Sequence, residues 1–581
     1  MATSSTLVRR PRPRSDVAGS PPGPRQRLFQ WAVLAVTGFI VLGPMVPVVW
    51  QSFLDAPLYD DGSFTLGNYA QLIISGEVRT MLLNTIGFAV MTTVIAVALG
   101  LGVGFLVIRT DLPGRRVISA VFNWPLYTSA LVLAFGWVIV YGPAGYVSSG
   151  IANLFGMSQA PAWLYTLPGM ALVAGIAEAP LVYMFAARSL ESLNPALEEA
   201  ARTLGATPWR VIGTVAFPLM RPAMLYSIIL VFIAALESLS IPLILGKPSG
   251  IEMFASYLYM EGLVRPDPDY GLLAAASIAL IGVAAVLIWA QSRILGDRQR
   301  FVTVTGKATQ PRRLSLGGLR WPLSLAVGGF VLIVSVIPIF GIVLRSLTQI
   351  LSPFVPLAES FTTGNFEQIL NTPSYMSSIQ TSLVVALVGA AIAAALAAVI
   401  GLVAYRSDFP LRRALDFLSV TPRALPAIVV SIGVFWAMFL FPFMDPLRGT
   451  LWILVFAFII RFLPLGMGVV VPAFIGVHRD LDNAARVAGA SWLRATSAMT
   501  LRLSAPAIAG AYIVLFSHFL REYAAAVYLI SPGVNVIGTS MLQLWDQGIV
   551  GAVAAFAMIQ IVLGTVVVLI GKRLTGVKAH G

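Results

Sequence analysis

Twelve separate apolar runs, each of 20 or more residues, dominate this chain. They fall at 28–52, 81–108, 117–141, 163–187, 223–246, 271–295, 320–347, 378–404, 417–441, 450–474, 507–530 and 549–571. A helix needs about 20 consecutive apolar residues to cross the hydrocarbon core of a bilayer, so each run is long enough to span. Only 11% of the residues are charged and 58% are hydrophobic. That leaves too few polar groups to cover a soluble surface, where about a quarter of residues carry charge. The runs are continuous rather than alternating, unlike those of a transmembrane β-barrel. The expected fold is therefore all-α, a polytopic membrane protein of about 12 transmembrane helices. The chain has no cysteine, which rules out disulfides, thiolate metal sites and thiol nucleophiles.

The net charge of +13 labels a side of the membrane. With the N-terminus placed inside, the inner segments hold 30 of the 38 Lys and Arg, and the outer segments hold only Arg79, Lys247, Arg265, Arg345 and Arg448. Acids lean the other way, with 12 outside and 10 inside. Such a split follows the positive-inside rule and predicts cytoplasmic N- and C-termini. No nucleic-acid partner is expected, and the chain's main surroundings are the lipid bilayer. Residues 1–27 carry five prolines and six arginines without an apolar run and are expected to form a disordered basic tail. The first apolar run lacks a small-residue cleavage site and reads as a retained span.

The chain repeats itself. Phe64-Thr-Leu-Gly-Asn68 returns as Phe361-Thr-Thr-Gly-Asn365 at an offset of 297. Arg109-x-Asp111-x-Pro113-x-Arg115-Arg116 returns at the same offset as Arg406-x-Asp408-x-Pro410-x-Arg412-Arg413. Ala200-Ala201-Arg202-x-x-Gly205-Ala206 returns as Ala484-Ala485-Arg486-x-x-Gly489-Ala490 at an offset of 284, the change falling in outer loop 142–162. An even number of spans per copy gives both copies the same orientation. Such parallel repeats are related by an axis along the membrane normal, with a pathway between them. The expected domains are 28–295 and 320–575, joined by a cytoplasmic linker at 296–319.

A long inner loop follows the fourth span of each half. In the first half Glu198 and Glu199 suit the first turn of a helix, and Ala200 and Ala201 favour its continuation. Gly205 and Pro208 end it and let a second short helix begin. Ala201 and Gly205, four apart, offer a smooth face for close packing. Two short helices tied to the membrane at both ends suit a lever on which a partner pushes.

These loops resemble the EAA motif of binding-protein-dependent ABC importer permeases. Glu199-Ala200-Ala201-x-x-x-Gly205 matches fully, with Pro218 as the later proline. Asn483-Ala484-Ala485-x-x-x-Gly489 lacks the glutamate, has Asp482 one position earlier, and has Arg502 in place of the later proline. The resemblance implies a type I ABC importer permease fold in the bacterial cytoplasmic (inner) membrane. It implies two cytoplasmic ATP-binding subunits docked on Glu198, Glu199, Ala200, Ala201 and Gly205 and on Asp482, Ala484, Ala485 and Gly489. It also implies an extracytoplasmic solute-binding protein as partner. No Gly-x-x-x-x-Gly-Lys-Ser/Thr phosphate loop is present, so ATP is expected on the partner subunits, with no cofactor or catalytic residue in this chain.

Charges within spans are expensive. They mark pathways, or they pair with one another to hold helices together. The candidates are Glu178, Glu237, Arg423, Arg461, Arg521 and Glu522. Glu237 and Arg521 occupy equivalent repeat positions, and an acid facing a base across the pseudo-twofold axis is a candidate gate. His518, also within a span, reads as a satisfied core histidine. The stretches Leu236–Gly246, Arg521–Gly533 and Gln543–Gly548 resemble those of ferric-iron importer permeases. Thiamine, polyamine and aminophosphonate permeases are close relatives of that group. The reading from another class is an ion-coupled secondary transporter, which leaves the duplicated inner loops without a role.

Overall fold

The structure, a computed structural model, describes residues 23–191, 195–295, 313–350 and 355–575. The expectations for residues 1–22 and for linker residues 296–312 lie outside the described residues. Among the described residues there are isolated β-bridges but no strand. Nine helices among the described residues are long and apolar enough to cross a membrane, and three bent helix pairs raise the total to 12.

In the first half the spans are Pro24–Leu42 with Met45–Gln51, then Gly76–Arg109, Ala130–Leu154, Leu167–Glu191, Phe217–Leu236 and Tyr270–Gln291. In the second half they are Gly317–Ser346, Pro373–Arg406, Arg412–Ala424 with Ala427–Leu440, Leu451–Gly476, Trp492–Leu501 with Ala505–Arg521, and Val550–Gly571.

Two kinds of expected span are corrected. The runs 117–141 and 417–441 are not straight helices. The first breaks around Pro125, between helix Arg115–Phe122 and the helix that starts at Ala130. The second bends by 111° at Leu425-Pro426. Proline removes a backbone donor and clashes with the preceding turn, so a run containing it breaks there. The runs 223–246 and 507–530 outlast their helices, which end at Leu236 and Arg521. Beyond these ends the regular α-helix is lost: the first segment breaks at 237–239 and continues into the short π-helix Pro242–Gly246, and the second is a run of turns over 524–529, both largely buried. Irregular backbone is tolerated at membrane depth when protein rather than lipid surrounds it.

Short helices Phe254–Tyr259 and Ile537–Asp546 complete these re-entrant segments. Their first N–H groups find side-chain acceptors from the neighbouring span. Phe254 N–H donates to Thr85 Oγ1 at 2.9 Å, and Ile537 N–H donates to Ser382 Oγ at 2.8 Å. Orphan donors at a helix start are thus satisfied away from water, identically in both halves. The repeated asparagines also share one task. Asn68 donates to the carbonyls of Ser52 and Leu54, and Asn365 to those of Ser346 and Thr348.

The first span of each half crosses to the other half. Helix Pro24–Leu42 packs on the eighth and ninth spans, with Trp31 edge-on to Phe409 and Phe39 edge-on to Phe441. The seventh span packs on the third, where Tyr141 Oη donates to the Ile333 carbonyl at 2.8 Å. The crossings depend on absent side chains. A Cβ on Gly433 would lie 2.5 Å from the Pro44 carbonyl oxygen, and one on Gly136 would lie 2.8 Å from that of Pro338. Small residues let membrane helices approach backbone to backbone.

Candidate functional site

Two places carry the expected functional residues: the mid-membrane interface between the halves, and the two inner loops.

The fifth span ends at Leu236 and the eleventh at Arg521, so Glu237, Arg521 and Glu522 sit at broken helix ends inside the protein. Glu237 does not face Arg521. It pairs with Arg461 of the tenth span at 2.5 Å, and both side chains are 17% exposed. Arg461 also donates to the Leu425 carbonyl at 2.8 Å, in the break of the ninth span. Arg521 instead donates to the carbonyls of Ser517 at 2.8 Å and of Leu126 at 2.6 Å. Arg521 is held by these carbonyls and Glu237 by Arg461, so the expected acid–base pair across the axis does not form. Glu178 stands within Coulombic range of Glu237, and Glu522 within range of Arg461 and Glu237. Arg423 donates to Tyr226 Oη at 3.1 Å. His518 Nδ1 bonds the Val514 carbonyl at 2.8 Å and its ring packs on Phe462, as a core histidine should.

Further polar contacts join the halves beyond this pair. Tyr523 and Ser240 hydroxyls meet at 2.9 Å, Tyr528 Oη donates to the Leu258 carbonyl at 2.5 Å, and Lys247 pairs with Asp546 at 3.1 Å. The seam is therefore tied at several places between the halves.

After the fourth and tenth spans, helices Pro195–Thr203 and Arg479–Val487 occupy equivalent positions. Each ends in a left-handed glycine, Gly205 at φ +83° and Gly489 at φ +90°. Past the glycine, Ala206 N–H returns to the Ala201 carbonyl at 3.1 Å, and Ala490 N–H to that of Ala485 at 3.0 Å. This is the helix-ending motif that glycine favours. No neighbouring element of this chain packs closely on Gly205, because a Cβ there would meet nothing within 4 Å. A π-turn comes next in both halves, Ile212–Ala216 and Ser497–Leu501, leading into the fifth and eleventh spans.

Within each loop helix one acid points inward. Glu198 is 6% exposed and forms an ion pair with Arg109, the last residue of the second span. Asp482 is 7% exposed and pairs with Arg406, the last residue of the eighth, at 3.5 Å. Asp482 also accepts from Thr500 Oγ1 at 2.9 Å. Glu198 and Asp482 share the offset of 284, so Asp482 is the counterpart of Glu198. What the second loop lacks is the exposed Glu199, where Asn483 stands. Glu199, Ala200, Asn483, Ala484 and both glycines face outward. Beside them Leu204 is 88% and Val487 84% exposed, apolar surface on an otherwise polar face. Sequence reasoning does not single out the arginine partners, although a signal for them exists: Arg109 and Arg406 open a repeated motif.

The linker end distinguishes the halves. Leu314 N–H donates to the Arg109 carbonyl at 2.7 Å, and Leu316 N–H donates to Asp111 Oδ1 at 2.8 Å. That second bond holds the Asp111 carboxyl below the usual carboxylate range.

Two six-span halves, broken helices where they meet and a matched pair of exposed loops define a membrane protein built from two parallel repeats. The chain belongs to the family described as the binding-protein-dependent transport system inner membrane component, which it matches twice, over residues 96–298 and 393–575. It is thus a fused two-domain ABC importer permease, a multi-pass protein of the inner membrane. It is 26% identical to the ferric transport system permease protein FbpB of Actinobacillus pleuropneumoniae, over 94% of this chain and 77% of that one. It is also 26% identical to the putative 2-aminoethylphosphonate transport system permease protein PhnU of Salmonella typhi, over 49% of this chain and 95% of that one. A solved bacterial ABC transporter for the acidic polysaccharide alginate aligns with 48% of this chain and 98% of its own, at 18% identity and a TM-score of 0.40.

Proposed function

We propose that this permease imports ferric iron, handed over by an extracytoplasmic binding protein and driven by two ATPase subunits docked on the inner loops. The observation that carries the cargo assignment is length. The likeness to the ferric permease FbpB runs through both halves and 94% of the chain, whereas PhnU corresponds to one half. The duplicated outward-facing loop helices support the docking of two partners. In this reading the termini and loop helices Pro195–Thr203 and Arg479–Val487 lie in the cytoplasm, as the charge split expects. ATP is bound by the partners, and closure of the two ATPase subunits moves both loops together. The seam between the halves then opens alternately to each side.

The test is reconstitution of the permease with its partner ATPase and binding protein in vesicles. ATP-dependent uptake of radiolabelled ferric iron is expected, with no inhibition by excess 2-aminoethylphosphonate, thiamine or spermidine. Uptake of one of those solutes in place of iron would overturn the cargo. Uptake driven by an ion gradient without the ATPase would overturn the mechanism in favour of a secondary transporter.

A further inference from the structure

Arg109 and Arg406 do one job twice. Each is the last residue of the second span of its half, and each pairs with the inward acid of the loop helix that comes after the fourth span. The arginines repeat at an offset of 297 and the acids at 284, so two independently registered segments meet in both halves. These are not surface pairs, because all four side chains are a tenth exposed or less. A buried pair resists separation, since either charge alone is costly to leave unpaired. The loop helix therefore cannot rotate or slide against the span end without losing the contact.

The contact leads inward. The second span packs along the fourth, and the eighth along the tenth. Those partner spans carry Glu178 and Arg461 at mid-depth, where Arg461 reaches across the seam to Glu237. Arg406 also donates to the Phe474 and Val477 carbonyls at the inner end of the tenth span. One guanidinium thus joins loop, eighth span and tenth span. Arg109 has fewer links, with Nε and Nη1 lacking a hydrogen-bond partner.

We infer that Arg109 and Arg406 are positioning residues that make each loop a rigid extension of its two-span block. A push on the loop is then delivered to the mid-membrane contact instead of being absorbed by loop motion. The inference rests on the proposal that an ATPase drives the loops. It adds which residues carry the force, and it makes the second half the better-connected one.

The experiment uses the permease with its ATPase and binding protein in vesicles, with radiolabelled ferric iron as probe, and reads solute taken up per ATP hydrolysed. Arg109→Gln and Arg406→Gln are expected to retain the ATPase subunits and to hydrolyse ATP. Uptake per ATP should fall by about tenfold, within the ordinary range of coupling between sites, and further for Arg406→Gln. Exchanging the charges, Arg109→Glu with Glu198→Arg, is expected to recover part of the loss, which a purely space-filling role would not allow. If the Gln variants fail to reach the membrane, the isosteric Asp482→Asn is read in the same way. Uptake per ATP within twofold of wild type in the double Gln variant overturns the inference. So does loss of the ATPase subunits, which would make the arginines part of the docking surface. Wild-type protein with no ATP-driven uptake would instead overturn the importer proposal, and this inference with it.

Discussion

The glycines that end the loop helices separate two explanations of the same motif. Gly205 and Gly489 both have left-handed backbone, and an added Cβ meets nothing within 4 Å at either site. A substitution therefore costs conformation and not space. For most L-residues that cost is about 1–2 kcal/mol. Asparagine tolerates this region and sits at the low end, whereas a β-branched valine sits above alanine. If the partner recognises the loop only when its end is intact, 1–2 kcal/mol lowers affinity roughly 5–30-fold. The two sites lie in different loops, so their free-energy costs should add. The assay is titration of purified variants in lipid discs with the partner ATPase subunit, reading Kd. The expected order of affinity at each loop is Gly, Asn, Ala, Val. The competing explanation, that glycine leaves room for a closely approaching partner, orders the variants by volume and puts Ala ahead of Asn. Finding Ala tighter than Asn at both loops would refute the helix-ending explanation.

Two other substitutions probe the seam and the swapped spans. Arg461→Leu strands Glu237 in the seam and should lower stability by about 3–5 kcal/mol, somewhat less where water reaches the pair, whereas Glu237→Gln keeps an acceptor for Arg461 and should lower it less. Thermal unfolding in detergent compares them, and equal losses would show that the pair does not act as one unit. Gly433→Val drives a side chain into the Pro44 carbonyl at the swapped-span crossing and should cost roughly 1–3 kcal/mol or prevent accumulation in the membrane. Gly282→Val, with open space around it, is the control, and equal tolerance at both sites would show that the crossing does not depend on close backbone approach.

What could be read from the sequence was set by how local each signal is. Apolar length gave the spans, and charged or Pro/Gly positions held in register gave the repeat and both loop helices. Apolarity cannot tell lipid from protein, however, so the runs ending at 246 and 530 absorbed the buried re-entrant segments. The pairing of Glu237 with Arg461, 224 residues away, had no local trace. Repeat equivalence pointed to Arg521, but equivalent positions share a backbone environment and not a partner. Register also misled at the second loop. Aligning on the alanines makes Glu199 look lost, whereas burial shows that the shared task belongs to Glu198 and Asp482.

The repeat is symmetric in its scaffold and asymmetric in its charges, and one physical constraint accounts for both. Positions that satisfy backbone groups or tie the loops are duplicated: Asn68 with Asn365, Thr85 with Ser382, Gly205 with Gly489 and Arg109 with Arg406. Each of these contacts stays within its own half, so a copy in the other half meets no conflict. Near the axis the halves face each other. Glu237 already has the Glu178 and Glu522 carboxylates within Coulombic range, and a glutamate in place of Arg521, beside Glu522, would add a further acid to a group that Arg461 and Arg521 balance. The second half places Arg521 at that position and Arg461 opposite Glu237, where Ala177 is the first-half counterpart. The charges at this seam are therefore balanced jointly by residues of both halves instead of being copied from one half to the other. Divergence there, against fidelity elsewhere, marks the residues that the two halves use jointly.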